Sequence, residues 1–297
     1  MQGNHFRILL TESVFNLFIH GRQGVSRIAG GILCLTLLLA IPTQSAQAVA
    51  ARSVTLPFLY TFNVDGVLEE AGSMSESSSP YFWVNSGGKF LIEQGIGGTI
   101  QGALSTTDPW RVLYQRTNPF DTDQGRYPQN IFRLLTRSVW TNASQEVRFK
   151  IDATHLTNTP NRNGYSGILL MGRYRDSDNL YYVGIRMDGQ AVIKKKYHGT
   201  YYTLATAQVF PGTYDALTNP NLIPAQTWMR LRGDVRTRLD GSVDIVLSLD
   251  RGSGVYQTIV SARDTKAYGG GVLTGGYAGI RTDYMDVLFD NYRIEAY

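Results

Sequence analysis

Residues 179–204 read NLYYVGIRMDGQAVIKKKYHGTYYTL. Two runs rich in β-branched and aromatic residues flank Asp188-Gly189. That dipeptide is a strong hairpin signal, because a two-residue I′ turn needs positive φ at both central positions. A second turn at Gly199-Thr200 sends the chain back through Tyr201, Tyr202 and Leu204. Strands made this way pair with their sequence neighbours, so the segment predicts an antiparallel β-meander. It is also the densest mixture of aromatic and cationic side chains in the sequence and the first candidate for a binding surface.

The same grammar runs through the rest of the chain. Residues 54–64 read as a strand stopped by Asp65-Gly66, and 81–84 and 89–93 as strands joined through Asn85-Ser86-Gly87-Gly88. Residues 110–114 are read as a further strand. Along 131–137, alternation puts Phe132, Leu134 and Thr136 on one face. In 145–151, Val147, Phe149 and Ile151 face inward while Glu146, Arg148 and Lys150 face out. Residues 167–174 are apolar and central, and 210–224, with three prolines, make a surface excursion. Val243, Ile245, Leu247 and Leu249 share one face beyond the hairpin turn at Asp240-Gly241. The result is roughly 13–16 short strands and no helix-period run, which predicts an all-β sandwich or jelly roll.

The N-terminus is read separately. Arg22 and Arg27 precede an apolar run at 28–41, followed by Pro42 and Ser45-Ala46-Gln47-Ala48. A charged segment, an apolar segment and an A-x-A site make a signal peptide, residues 1–48, too short in its apolar part to span a bilayer. The expectation is a secreted or periplasmic protein, with residues 49–297 as a single domain and no stable membrane span after cleavage. The single cysteine, Cys34, falls in the leader, which leaves no disulfide and no thiol chemistry. The whole chain carries a formal net charge of +4. Cleavage would remove Arg7, Arg22, Arg27 and Glu12 and leave the mature domain nearly neutral. The clustering of Lys194, Lys195 and Lys196 then matters more than the total. Export and a small net charge argue against a nucleic-acid partner.

The closing segment, Gly279-Ile280-Arg281 followed by VLFDNYRI at 287–294, resembles the last strands of concanavalin A-like jelly rolls. The hairpin at 179–195 resembles the middle strands of the same superfamily, which includes laminin G-like domains, carbohydrate-binding modules, glucanases and jelly-roll polysaccharide lyases. The resemblance covers about 45 residues and is specific to the superfamily only. It implies a concanavalin A-like β-sandwich of two antiparallel sheets and an extracellular polysaccharide as partner. It also implies a structural calcium ion near the meeting of first and last strands. Asp290 matches the family's closing-strand aspartate, and Asp65 or Glu70 would supply a second oxygen.

Three functional readings follow: glycan binding through a concave face, lysis of an acidic, uronate glycan by β-elimination, and a structural envelope protein without ligand. Hydrolysis is disfavoured, because the strand-borne E-x-D-x-E pattern of the glucanases is absent and Glu69-Glu70 would point to opposite faces. Elimination needs carboxylate neutralisation, a base and an acid, for which Arg186, Tyr197 and His198 are the candidates. Gln129 and Asn130 are further polar candidates. For substrate binding the candidates are Tyr182, Arg186, Lys195, Tyr197, Arg133 and Arg173. A two-residue turn at Asp188-Gly189 would place Tyr182, Arg186, Lys195 and Tyr197 on one groove-forming face. Lys194, Lys196 and His198 would then share the opposite face with Val183 and Ile185. Most tyrosines, and the lysine run as a solvated strand end, also have an ordinary structural reading.

Overall fold

A computed structural model describes residues 47–297. All but the last two residues of the expected leader lie outside that range. Five short strands come first: β1 (Phe58–Tyr60), β2 (Gly66–Glu69), β3 (Phe82–Ser86), β4 (Lys89–Glu93) and β5 (Ile96–Thr99). A helix, α1 (Pro109–Thr117), separates them from β6 (Ile131–Trp140), β7 (Ala143–Thr154), β8 (Gly167–Asp176), β9 (Asn179–Arg186), β10 (Gln190–Tyr197) and β11 (Thr200–Gln208). After the proline-rich excursion come β12 (Met229–Thr237), β13 (Val243–Asp250), β14 (Gln257–Asp264), β15 (Gly276–Asp283) and β16 (Met285–Ala296).

These strands form two antiparallel sheets. One has nine strands in the order β14-β13-β12-β7-β16-β5-β4-β2, with β1 added beside β16. The other has seven, in the order β11-β10-β9-β8-β15-β6-β3. β15 and β16 are consecutive yet lie in different sheets, and each sits near the middle of its own. This is the expected all-β jelly-roll sandwich, and its two inner faces make the core. Val147, Phe149 and Ile151 of β7 and Val243, Ile245, Leu247 and Leu249 of β13 are all fully buried, as their alternation predicted. They meet Phe132, Leu134, Ile168, Leu170, Tyr181, Val183, Ile185 and Ile193 from the seven-stranded sheet.

Two local expectations fail for identifiable reasons. Residues 109–117 are helical, not extended. Asp108 caps the helix by accepting a hydrogen bond from Trp110 N at 2.8 Å, and Pro109 occupies the first turn, where its missing N–H costs nothing. Tyr114 on the buried face donates its hydroxyl to Glu70 Oε2 at 2.6 Å, which docks the helix over β2.

The second failure reverses part of the candidate site. Ala191 pairs with Ile185 and Ile193 with Val183, so Met187, Asp188 and Gly189 all lie in the β9–β10 loop. Only Gly189 has positive φ, 77°, and its N–H donates to Arg186 O at 2.9 Å. This is a three-residue loop, a turn followed by a left-handed glycine. Asp188 prefers to accept from Gln190 N at 3.1 Å over adopting a left-handed backbone. One extra loop residue flips every β10 side chain relative to β9. Lys194 is therefore opposite Tyr182, on the outer face, and Lys195 is opposite Tyr181, on the inner one.

Candidate functional site

The outer face of the seven-stranded sheet is the notable surface of the sandwich. Register places Lys194, Tyr182, Met171, Gly279, Leu135 and Trp83 in one row across β10, β9, β8, β15, β6 and β3. The adjacent row runs Val192, Gly184, Leu169, Arg281, Arg133 and Ser86. Leu135, Leu169, Met171, Leu180, Tyr182 and Val192 form a second buried apolar cluster on this face, with Trp83 and Tyr277 packed against it. Long amphipathic side chains roof such a floor by laying their stems along it and holding their charges out.

The charged groups concentrate toward β9 and β10. Arg186 lies with its guanidinium 4.2 Å from the ring centroid of Tyr165, and Lys194 Nζ lies 5.2 Å from the same centroid. Lys194 Nζ is also 6.0 Å from the Tyr201 ring, which Lys196 Nζ approaches to 4.8 Å. Tyr201 stacks on Tyr182 with centroids 6.0 Å apart. Tyr182 in turn accepts from Arg281 Nη1 at 3.0 Å. Tyr165 is 64% exposed and Tyr201 48%. Arg133 joins the face from β6, with Nη1 at 3.4 Å from Asn85 Oδ1.

Most of these cations have a carboxylate: Arg186 pairs with Asp188, Arg281 with Asp283 at 2.8 Å, and Lys196 with Asp178 at 3.2 Å. Burial opposes the charge on Arg281, but Asp283 and the hydroxyls of Tyr182 and Tyr201 outweigh it and hold its pKa well above the ordinary value. Lys194 is different. Burial, with Arg186 and Arg281 close by, lowers its pKa, and Asp188 offsets only part of this. No carboxylate forms an ion pair with it among the described residues.

Several expected site residues lie elsewhere. Lys195 is fully buried and ion-paired to Asp264 at 2.8 Å, so it takes no part in the outer face. Tyr197 follows the same inward parity and packs against the core. Arg173 is 3% exposed and turns away from the face. It donates to Thr141 O at 3.0 Å, Leu273 O at 2.5 Å, Asn142 Oδ1 at 3.3 Å and Thr237 Oγ1 at 2.8 Å, tying three connections together. His198 sits in the β10–β11 turn with φ of 49°. Arg186 is beside the first residue of β10, and Tyr197 is its last. Seven residues of strand separate them by about 24 Å, so Arg186, Tyr197 and His198 do not act on one sugar. Gln129 and Asn130 are buried as well, held to Asp286 and Thr157 by bonds of 2.9 and 2.8 Å. Of the proposed binding residues, Tyr182, Arg186 and Arg133 remain on the face. Tyr182, at 5% exposure, is part of its floor.

The calcium expectation does not fit the residues either. Asp290 is ion-paired to Arg148 at 3.0 Å, and Asp65 accepts from Gln94 N at 2.8 Å. β5 and β4 lie between β16 and β2, so three strand spacings, roughly 14 Å, separate the two carboxylates. Glu70 is committed to Tyr114 and to Gly88 N. No group of three or more His, Cys, Asp or Glu among the described residues could hold a metal ion.

Tyr165, Lys194, Lys196, Tyr201 and Arg281 are the residues the sequence reading did not assign to the site. Arg281 was visible in the closing motif. One extra loop residue puts Lys194 and Lys196, not Lys195, on this face. Tyr165, in a turn-rich loop 21 positions before Arg186, carried no signal of its own.

No family model and no curated protein matches the chain. Solved structures do resemble it. The carbohydrate binding module CBM66 from Bacillus subtilis aligns at 16% identity over 56% of this chain and 82% of that one, with a TM-score of 0.40. A protein of unknown function with a galectin-like fold, also from Bacillus subtilis, aligns at 11% identity over 84% and 97%, with a TM-score of 0.41. The GH43 protein BlXynB from Bacillus licheniformis aligns at 9% identity over 80% of this chain and 39% of its own length, with a TM-score of 0.44. The sandwich assignment rests on the strand order and pairing described above, to which likenesses at this level add nothing.

Proposed function

We propose that the protein is exported and binds an acidic polysaccharide across the outer face of its seven-stranded sheet. The observation that carries this reading is Lys194. Its ammonium is half-buried, without a carboxylate of its own, and bounded by the exposed rings of Tyr165 and Tyr201. A sugar ring stacks on an exposed aromatic face, and a carboxylate or sulfate beside it satisfies a desolvated cation. Arg186, buried and paired with Asp188, orients the Tyr165 ring beside this cation. Elimination chemistry gains no support, since its assigned acid and base sit at the far end of the hairpin from Arg186.

The test is titration of the protein with a polyuronate and with a neutral glucan of equal length, at several salt concentrations. The polyuronate binds, weakens as salt rises because exposed charges are screened over about 10 Å at 0.1 M, and outcompetes the glucan. Lys194→Ala costs about 1–3 kcal/mol of affinity, roughly five- to 150-fold. Equal affinity for both polymers, independent of salt, would refute the acidic reading.

A further inference from the structure

The inner face holds a group of unusual chemistry that the glycan-binding face does not use. Lys195 of β10 and Asp264, the last residue of β14, are both completely buried. Lys195 Nζ lies 3.0 Å from Asp264 Oδ1 and 2.8 Å from Oδ2, and a third contact, 2.6 Å, runs to Gly271 O. Tyr181 donates its hydroxyl to Asp264 Oδ2 at 2.8 Å, and Leu273 N donates to Tyr181 Oη at 3.3 Å. The rings of Tyr197 and Tyr202 stand 5.3 and 5.9 Å from the ammonium.

With both oxygens this close, the nitrogen is roughly 3 Å from the carboxyl carbon, and rotation about the Asp264 Cβ–Cγ bond turns the face of that carbon toward it. The pair is in a dry place. Removing an ammonium and a carboxylate from water costs several kcal/mol per ion, and one proton passed from Nζ to Oδ1 along the existing hydrogen bond turns the pair into an amine and an acid. A neutral amine is a nucleophile, and a neutral carboxylic acid is an electrophile.

We propose that Lys195 and Asp264 condense spontaneously to an intramolecular isopeptide bond. Nζ attacks Cγ, and the Nζ–Cγ bond forms. The negative charge that develops on Oδ2 is met by the Tyr181 hydroxyl, already aimed at that oxygen. A second proton from nitrogen passes to Oδ1, which took the first, the charge on Oδ2 returns to re-form the carbonyl, the Cγ–Oδ1 bond breaks, and one water leaves. The ammonium and carboxylate become an amide and water, with no oxidant, cofactor or second molecule consumed. Tyr181 is suited to stay a donor throughout, because burial and Asp264 push its pKa well up. Burial also favours the product, since an amide carries no charge and hydrolysis needs water to return.

The link has a structural consequence. It joins β10 of the seven-stranded sheet to β14 of the nine-stranded sheet, at the edge where the sandwich would otherwise open. With one cysteine in the chain, no internal disulfide can do this. The inference stands independently of the ligand and of the outer face.

The test is mass spectrometry of the denatured wild-type protein after trypsin digestion, a readout unaffected by where the N-terminus lies. The expected result is a branched peptide in which the Lys195 and Asp264 segments are joined, lighter by one water than their sum, with no cleavage after Lys195. Lys195→Arg and Asp264→Ala abolish it, and Tyr181→Phe leaves a measurable unlinked fraction in freshly folded protein. Ordinary cleavage after Lys195 in folded wild-type protein, with linear peptides of unmodified mass, would overturn the proposal whether or not the variants fold.

Discussion

Arg173→Ala separates two accounts of the same residue. The sequence reading placed Arg173 among the substrate-binding groups, whereas the structure makes it a buried clamp on Thr141, Asn142, Thr237 and Leu273. Four charge-assisted bonds at about 1.5–3 kcal/mol each give a gross gain of roughly 6–12 kcal/mol. Burying the guanidinium offsets much of this, and burial does lower its pKa. The net loss in Arg173→Ala is therefore about 3–5 kcal/mol, including the buried acceptors left unsatisfied. At about 2–4 °C per kcal/mol for a domain of this size, the melting temperature falls by roughly 6–20 °C. Arg173→Lys recovers part of this, because one ammonium reaches fewer of the four acceptors than a planar fork. The assay is thermal unfolding by circular dichroism, paired with polyuronate titration well below the transition. The clamp account requires a large drop in melting temperature with unchanged affinity. Lost affinity at an unchanged melting temperature would refute it.

Other expectations follow from single residues. Gly189→Ala destabilises by roughly 2–4 kcal/mol in a urea titration, because an alanine is strained at φ of 77° and its Cβ would lie 2.2 Å from Phe210 O. A two-residue turn with no such contact predicts a smaller effect. Chelator leaves the wild-type melting curve unchanged. Asp290→Asn costs at most about 1 kcal/mol, as the partly exposed pair with Arg148 implies. Burial raises the Glu70 pKa above its ordinary 4.5, so the native carboxyl keeps a proton that the unfolded chain has released. Stability therefore falls as pH rises from 4.5 through the raised native value, and Glu70→Gln flattens that part of the pH–stability curve. A curve of wild-type shape in Glu70→Gln would contradict the assignment.

The sandwich was legible because strand alternation and turn residues are local signals. Val147, Phe149 and Ile151 needed no partner to declare a face, nor did the Val243–Leu249 alternation. The helix at 109–117 was legible in principle from Asp108-Pro109, a cap followed by a first-turn proline, but its aromatic content read as strand. The outer face was half-legible: the hairpin singled out in the sequence carries its cations, and Tyr182 and Arg186 lie on it. The choice between Lys194 and Lys195 hung on one loop residue, and with a side-chain period of two such an error inverts a whole strand. Tyr165 reaches the site only through the loop before β8, and Arg281 only through the β8–β15 pairing. Contacts of that range leave no periodicity in a sequence. The calcium expectation came from the resemblance alone and ignored that Arg148 pairs with Asp290 across β7 and β16.

The central claim, an anion-receptive site at Lys194, is tested most directly by lysine footprinting. A lowered pKa gives Lys194 a larger neutral fraction near neutral pH, and the neutral amine is the form that acylates. Brief acetylation followed by peptide mass analysis, with and without a polyuronate, reads each lysine separately. The account predicts that Lys194 labels readily and is protected by the polyuronate but not by a neutral glucan, while exposed Lys266 labels equally in all three samples. Protection confined to Lys150 on the other sheet, or Lys194 labelling unchanged by saturating polyuronate, would contradict it.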